Sequence, residues 1–275
     1  MPRPQDLEPV IGRVLAADPV PGGDICRAFR VETTSGTVFA KTPRRSDPDM
    51  FATEAAGLRA LSAAVPGLTP QVLYQDRDWL VLQWFDEIGA DAQAASRLGR
   101  DLARLHAGPA PGLFGAGPEN GRIGSLPMAA GQYDSWHRMY AELRLRPLLS
   151  PDLPTSAELV RRLAEGPDWA GRAEPPSLLH GDLWAGNLLW ARRPRLIDPA
   201  SHVGHRETDL AMLALFGAPA FEDLLTGYQD EYPLSPGWRD RVGLHQMWPL
   251  LVHNRLFGGG YGPRAERIAA GYLRR

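Results

Sequence analysis

The sequence predicts an α+β chain of two lobes, a small antiparallel sheet with one inserted helix over residues 1–85 and a larger, mainly helical part over residues 86–275. Three observations carry that expectation. Residues 26–41, CRAFRVETTSGTVFAK, alternate apolar and polar positions on either side of Ser35-Gly36, as a β-hairpin does. Residues 46–67, SDPDMFATEAAGLRALSAAVPG, place acidic residues ahead of an Ala/Leu-rich periodic run and end on Pro-Gly, which predicts a helix of about four turns. After DEIGAD, residues 86–91, the alternation stops and helical periodicity takes over, so the boundary is drawn near residue 86 with the connecting segment as a hinge.

In chain order, Leu7, Val10, Ile11, Val14 and Leu15 have helical spacing, which predicts a helix over 5–17 that PVPGGD then breaks. Gly22-Gly23 could let backbone N–H groups approach a phosphate, or simply make a turn. The hairpin follows, with Val38, Phe39 and Ala40 leading to Lys41 at a strand end. QVLYQ (71–75) and DWLVLQWF (78–85) predict two further strands beyond the helix. AASRLGRDLARLHA (94–107) opens the helical part, residues 108–133 are irregular, and GRAEPPS (171–177) is a Pro-rich break. YDSWHRMYAELRLRPLL (133–149) is amphipathic and either walls a pocket or packs on the core, while Trp248 and His253 on the run MWPLLVHNRLF read as core.

Composition narrows the function classes. At 275 residues and 44% hydrophobic content the chain can bury a sizeable core. A net charge of −2 without any run of five like charges gives no footprint for nucleic acid or an anionic membrane, so binding of a polyanion would have to be local. The lone Cys26 excludes an intramolecular disulfide and a cysteine-rich zinc site, and it reads as a buried small hydrophobe. The first twenty residues lack an apolar core of signal-peptide length and no eighteen-residue apolar run follows, so a cytoplasmic protein, expected to be a monomer, is the reading.

The chemistry concentrates in residues 178–217, LLHGDLWAGNLLWARRPRLIDPASHVGHRETDLAMLALFG. His180-Gly181-Asp182 is followed by Asn187, a short apolar strand, a basic turn and a second strand ending at Asp198. A hairpin of those strands returns Asp198 to the end that carries Asp182 and Asn187. Hard divalent cations such as Mg2+ take oxygen ligands, which suits Asn187 and Asp198 beside the phosphates of a nucleotide. Asp182 is then free to accept a proton from a substrate hydroxyl and hold it in line with phosphorus. Each residue alone would pass for a turn or cap residue, but together they have the phosphotransfer spacing of the protein-kinase-like fold. In that fold a strand lysine meets the nucleotide's α- and β-phosphates and is held by a glutamate on the inserted helix, matching Lys41 and Glu54 in order and context. Lys41 is the only lysine among thirty Lys+Arg. Drift would explain it equally well until this site supplies a need for a compact ammonium in a gap too narrow for a forked guanidinium.

LLHGDLWAGN, IDPASHVGHRETDLAMLALFG, GYQDEYPLSPGW and LLVHNRLFGGGY together resemble the fructosamine (ketosamine) kinase family, a branch of the aminoglycoside/choline kinase-like superfamily. Trp184 after the His-Gly-Asp, and Asp-Pro-Ala at 198–200, point to this branch. The resemblance implies ATP- and Mg2+-dependent phosphorylation of the 3-hydroxyl of a ketosamine, a glycated amine. It casts Asp182 as base, Asn187 and Asp198 as metal ligands, and Lys41 and Glu54 as the ion pair on ATP. Gln83, Trp84 and Phe85 fall on the segment that meets adenine through its backbone. Asp209 either braces the catalytic loop or caps a helix. Trp184 either stacks on the sugar or packs between lobes, and Glu207 either meets the substrate's amine or pairs with Arg206 or another arginine. Rival readings are another small-molecule kinase of the superfamily, for an aminoglycoside, choline or homoserine, and a catalytically silent nucleotide- or sugar-binding module.

Overall fold

A computed structural model describes residues 2–21, 25–45 and 47–275. Gly22 and Gly23, the expected phosphate-approaching glycines, lie outside the described residues. The chain opens with a 3-10 turn, Pro4–Leu7, and the single turn α1, Glu8–Ile11, and continues as strand β1, Val14–Val20. The helix expected over 5–17 therefore stops short. Gly12 at φ 85° ends it in the left-handed region, and Val14 then pairs with Thr33. The apolar spacing misled because Val10 and Leu15 point outward, 47% and 58% exposed, so the periodic stripe was not a buried face. Pro19 is tolerated because β1 is an edge strand that needs no donor there.

β1 joins β2 (Cys26–Thr33), β3 (Gly36–Pro43), β4 (Val72–Gln75) and β5 (Leu80–Gln83) in an antiparallel sheet of order β1-β2-β3-β5-β4. The hairpin turn is Thr34-Ser35, one residue earlier than expected, since Thr33 pairs with Gly36 and its hydroxyl accepts from Ser35 N and donates to Gly36 O. Lys41 lies opposite Ala28 on one side and Leu80 on the other, so it stands on the central strand. Helix α2, Met50–Ala64, covers one face of the sheet, with Phe51, Ala55 and Leu58 packed on Leu80 and Leu82. It ends where Pro66 forces Val65 into an extended conformation, φ −133°. Its last turn leaves the sheet: Leu61, Val65 and Leu68 join a core with Leu98, Leu102 and Leu196, and Leu196 N donates to Leu68 O at 2.8 Å.

The helical lobe begins at α3, Ala92–Ala107, capped by Asp91, whose carboxylate accepts from Ala94 N at 2.6 Å. α3 packs on α7, Phe221–Glu231, through an approach only glycine allows: a Cβ at Gly99 would stand 1.9 Å from Leu224 O, and one at Gly227 2.1 Å from Ser96 O. A second core gathers α4 (Trp136–Met139), the π-turn Tyr140–Leu145 that extends it, α5 (Pro154–Ala164), α8 (Trp238–Phe257) and α9 (Tyr261–Leu273). α6, Glu207–Phe216, runs beside α8. Among the described residues no helix is long and apolar enough to cross a membrane.

Candidate active site

Four short strands build the site. Ser177–Leu179 pairs antiparallel with His202–Gly204, and Leu188–Leu189 with Arg195–Leu196. The loops that connect them, 180–187 and 197–201, therefore open side by side, and Ile197 N donates to Asn187 O at 3.1 Å. Asp182, Asn187 and Asp198 are brought together in this way. The Asn187 amide donates to Asp182 O at 2.7 Å and lies 3.4 Å from Asp182 Oδ2, which leaves its own oxygen as a free acceptor. Asp198 has φ 54°, a left-handed conformation that costs most L-residues about 1 kcal/mol and that Asp tolerates best with Asn.

Lys41 reaches across from the sheet. Its Nζ lies 2.6 Å from Asp198 Oδ1 and 2.7 Å from Glu54 Oε2, with the lysine side chain 9% exposed and that of Asp198 49%. Burial alone would discharge Lys41, but the charges of Asp198 and Glu54 outweigh it and hold the ammonium above the ordinary lysine range. Enclosure likewise works against ionised Asp198, and Lys41 overcomes it, so this carboxyl stays below its usual range. One ammonium cannot serve every carboxylate here. Glu54 is pushed up to about 7 by burial despite its lysine, and its Oε1 has no hydrogen-bond partner. Asp182 is also pushed up to about 7, by burial and then by the charge of Asp198, with the Asn187 hydrogen bond opposing.

Asp209, in the first turn of α6, makes no cap bond to its own helix. Its carboxylate accepts from His180 N at 2.8 Å and Gly181 N at 2.9 Å, and His106 Nε2 lies 3.2 Å away. His180 in turn accepts from Asp182 N at 3.3 Å through Nδ1 and donates from Nε2 to Ile197 O at 2.9 Å. The loop that carries Asp182 is thus tied both to α6 and to the residue before Asp198. Sequence reasoning missed His106 and His180 as parts of this frame. An imidazole on the mainly apolar buried face of α3, which also carries Asp101, was the available signal for His106.

Gln83 ends β5, with its N donating to Gln71 O at 2.9 Å, and Trp84 and Phe85 begin the link to α3. Trp84 Nε1 donates to Asp86, and guanidinium groups lie over both rings, Arg30 on Trp84 and Arg195 on Phe85. Trp184 is 42% exposed beside Asp182. For Glu207 the structure corrects the amine contact and shows the other reading, a pair with an arginine other than Arg206. Its carboxylate is buried and paired with Arg241, at 2.6 and 3.0 Å, with His245 Nε2 3.4 Å away, while Arg206 pairs with Glu174. Burial would raise this carboxyl, but His245 and Arg241 bring it down to about 2, and a buried, doubly paired carboxylate has no oxygen to offer an ammonium from solution. Cys26 is half-buried on β2, and burial raises its thiol to about 11, which leaves it unreactive. Trp248 is core, but His253 is half-exposed, its ring tilted against Phe216 rather than buried as expected.

The family model for fructosamine kinase matches residues 10–275. The chain belongs to the fructosamine kinase family. It is an ATP-dependent phosphotransferase on the two-lobed, protein-kinase-like α+β fold. It is 36% identical over 269 residues to "Probable ketoamine kinase" of Lactiplantibacillus plantarum, covering 92% of this chain and 93% of that one. The crystal structure of "putative fructosamine-3-kinase" from Thermobifida fusca superposes at a TM-score of 0.88 and 36% identity, covering 98% of both chains. The aminoglycoside phosphotransferase APH(4)-Ia, solved with ADP and hygromycin B, matches at a TM-score of 0.64 and 17% identity, covering 97% of each chain, a likeness of fold alone. In this kinase, then, the Lys41–Glu54 pair stands on the sheet side and the 180–198 loops on the helical side.

Proposed function

We propose that this kinase transfers the γ-phosphoryl group of ATP to the 3-hydroxyl of a ketosamine, with Asp182 as the base. The observation that carries the proposal is that the loops bearing Asp182, Asn187 and Asp198 open side by side while Lys41 reaches Asp198 from the sheet. The names of the relatives support the ketosamine and, for the Thermobifida protein, the 3-position. In the proposed step the sugar oxygen bonds to phosphorus as the bond from phosphorus to the β,γ-bridging oxygen breaks. The hydroxyl proton passes to the Asp182 carboxylate and ADP leaves. Lys41, fixed by Glu54, neutralises the α- and β-phosphates, and residues 83–85 present backbone groups to adenine. Asp209 and His180 hold the loop so that Asp182 stays aimed at the acceptor.

A divalent cation fits the residues present. Glu54 and Asp198 share the one ammonium of Lys41, Glu54 and Asp182 are raised to about 7, and Asn187 and Asp198 provide the oxygens a hard cation takes. Mg2+ held by these two residues would neutralise charge building on the transferred phosphoryl group. Trp184 offers its open face to the sugar. The same reading takes the enzyme to be a cytoplasmic monomer that acts on small glycated amines, the single cysteine being in keeping with a reducing compartment.

The test is a panel: ATP with fructosyl-lysine, ribulosyl-lysine, choline and kanamycin. Phosphorylation of a ketosamine is expected. Turnover of choline or kanamycin alone would assign the site to a rival kinase, and turnover of nothing, with nucleotide still bound, to a silent module.

A further inference from the structure

Glu207 is spent on Arg241, so the cationic nitrogen of a ketosamine needs another contact, and the surface beyond Trp184 supplies one. Trp184 is held in a set pose. A Cβ on Gly186 would stand 2.3 Å from the indole, so the ring packs closely against that glycine, and Phe216 meets it edge-on at 6.4 Å. From there an aromatic row continues through α6, α8 and α9. Phe216 lies 4.7 Å from His253, which lies 5.5 Å from Phe257 and 5.1 Å from Tyr261. None of these rings is buried, and Phe257 is 63% exposed. The surface beside it is bare, since side chains added at Gly258, Gly259 or Gly260 would meet nothing within 4 Å. His253 is held in the row by Pro249 O, 2.7 Å from its Nδ1, and burial lowers its proton affinity against the pull of that bond.

We infer that Phe216, His253, Phe257 and Tyr261 form a subsite for the amine-bearing half of the substrate, selecting ketosamines whose positive nitrogen carries an aromatic or methylene-rich arm. This deepens the ketosamine reading and rests on it. Aromatic faces attract an ammonium through their quadrupole and bury an apolar arm at the same time. The row starts two residues from Asp182 and runs outward, so a sugar docked at Trp184 leaves its amine substituent along these rings. Acidic carriers gain nothing from such a wall.

The experiment compares two synthetic ketosamines with the same sugar, one built on methylamine and one on phenethylamine, for the intact enzyme and for Phe257→Ala and Phe216→Leu. The readout is the ratio of kcat/KM for the long carrier to that for the short one. In the wild type this ratio exceeds one, and each substitution lowers it by about tenfold, mainly through KM, as the loss of one ring contact to a cation and its arm would. A ratio unchanged by both substitutions, in variants whose unfolding temperatures match the wild type, overturns the subsite while leaving the ketosamine reading intact. Wild-type turnover of neither ketosamine overturns both.

Discussion

Lys41 Nζ stands 2.6 Å from Asp198 Oδ1 while holding Glu54 at 2.7 Å, so one ammonium ties the central strand, its covering helix and the loop after the second small hairpin. The only lysine of the chain is what joins these three elements.

Lys41→Arg keeps the charge and is nonetheless expected to fail. A fork with five donors cannot sit between two carboxylates spaced for a point donor without displacing Glu54 or Asp198. We expect kcat/KM for ATP to fall by roughly a hundredfold, as typical losses of one phosphate-positioning contact imply. Steady-state kinetics with ATP varied checks this, and activity within a few-fold of wild type would contradict the fit.

The raised carboxyls make a pH prediction. Asp182 and Glu54 stand near 7 in the fold against ordinary values of 3.8 and 4.5. Between those limits the folded chain keeps protons that the unfolded chain releases, so their contribution is favourable at low pH and lost as pH rises through 7. Asp182→Asn removes the Asp182 share. In thermal unfolding without nucleotide the variant should gain on the wild type by about 2 kcal/mol more at pH 8 than at pH 5, a figure reduced for the partly open cleft. An equal difference at both pH values would contradict the assignment. The same group should make kcat/KM rise with pH and level off above about 7.

Asp209→Ala leaves two buried backbone N–H groups and His106 without their acceptor. The expected loss is about 3 kcal/mol of stability together with a drop in kcat, because the loop carrying Asp182 is released. Denaturant unfolding and kcat measured below the transition check both. Full stability with normal kcat would show that the frame is redundant.

The α3–α7 contact predicts a steep glycine effect. Gly227→Ala places a methyl group about where Ser96 O already sits and should cost several kcal/mol, whereas Gly271→Ala, in α9 with open space around it, should stabilise by about 0.5–1 kcal/mol. Unfolding temperatures of the two variants should move in opposite directions.

The site was legible where chemistry and local geometry coincide in a short stretch. Asp182, Asn187 and Asp198 fall within 178–217 on loops that one small hairpin brings together, so spacing alone predicts their meeting. Lys41 and Glu54 could be placed because a strand and the next helix are local patterns. What stayed hidden depends on partners distant in the chain. Glu207 meets Arg241, 34 residues on, and nothing local distinguishes that arginine from Arg206 next door. His106 serves a carboxylate 103 residues away. The 5–17 segment failed for another reason: its apolar residues satisfy a helical period, and only the pairing with β2 decides that it is a strand from Val14 on.

The central claim is that Asp182 takes the acceptor's proton as phosphoryl transfer proceeds. The most direct measurement follows ATP and fructosyl-lysine by phosphorus NMR with wild type and Asp182→Asn, alongside nucleotide binding by calorimetry. The account predicts a new sugar phosphate ester and ADP with wild type, and for the variant ordinary ATP affinity with turnover reduced by roughly 100-fold or more. A variant that makes the ester at most of the wild-type rate would contradict it.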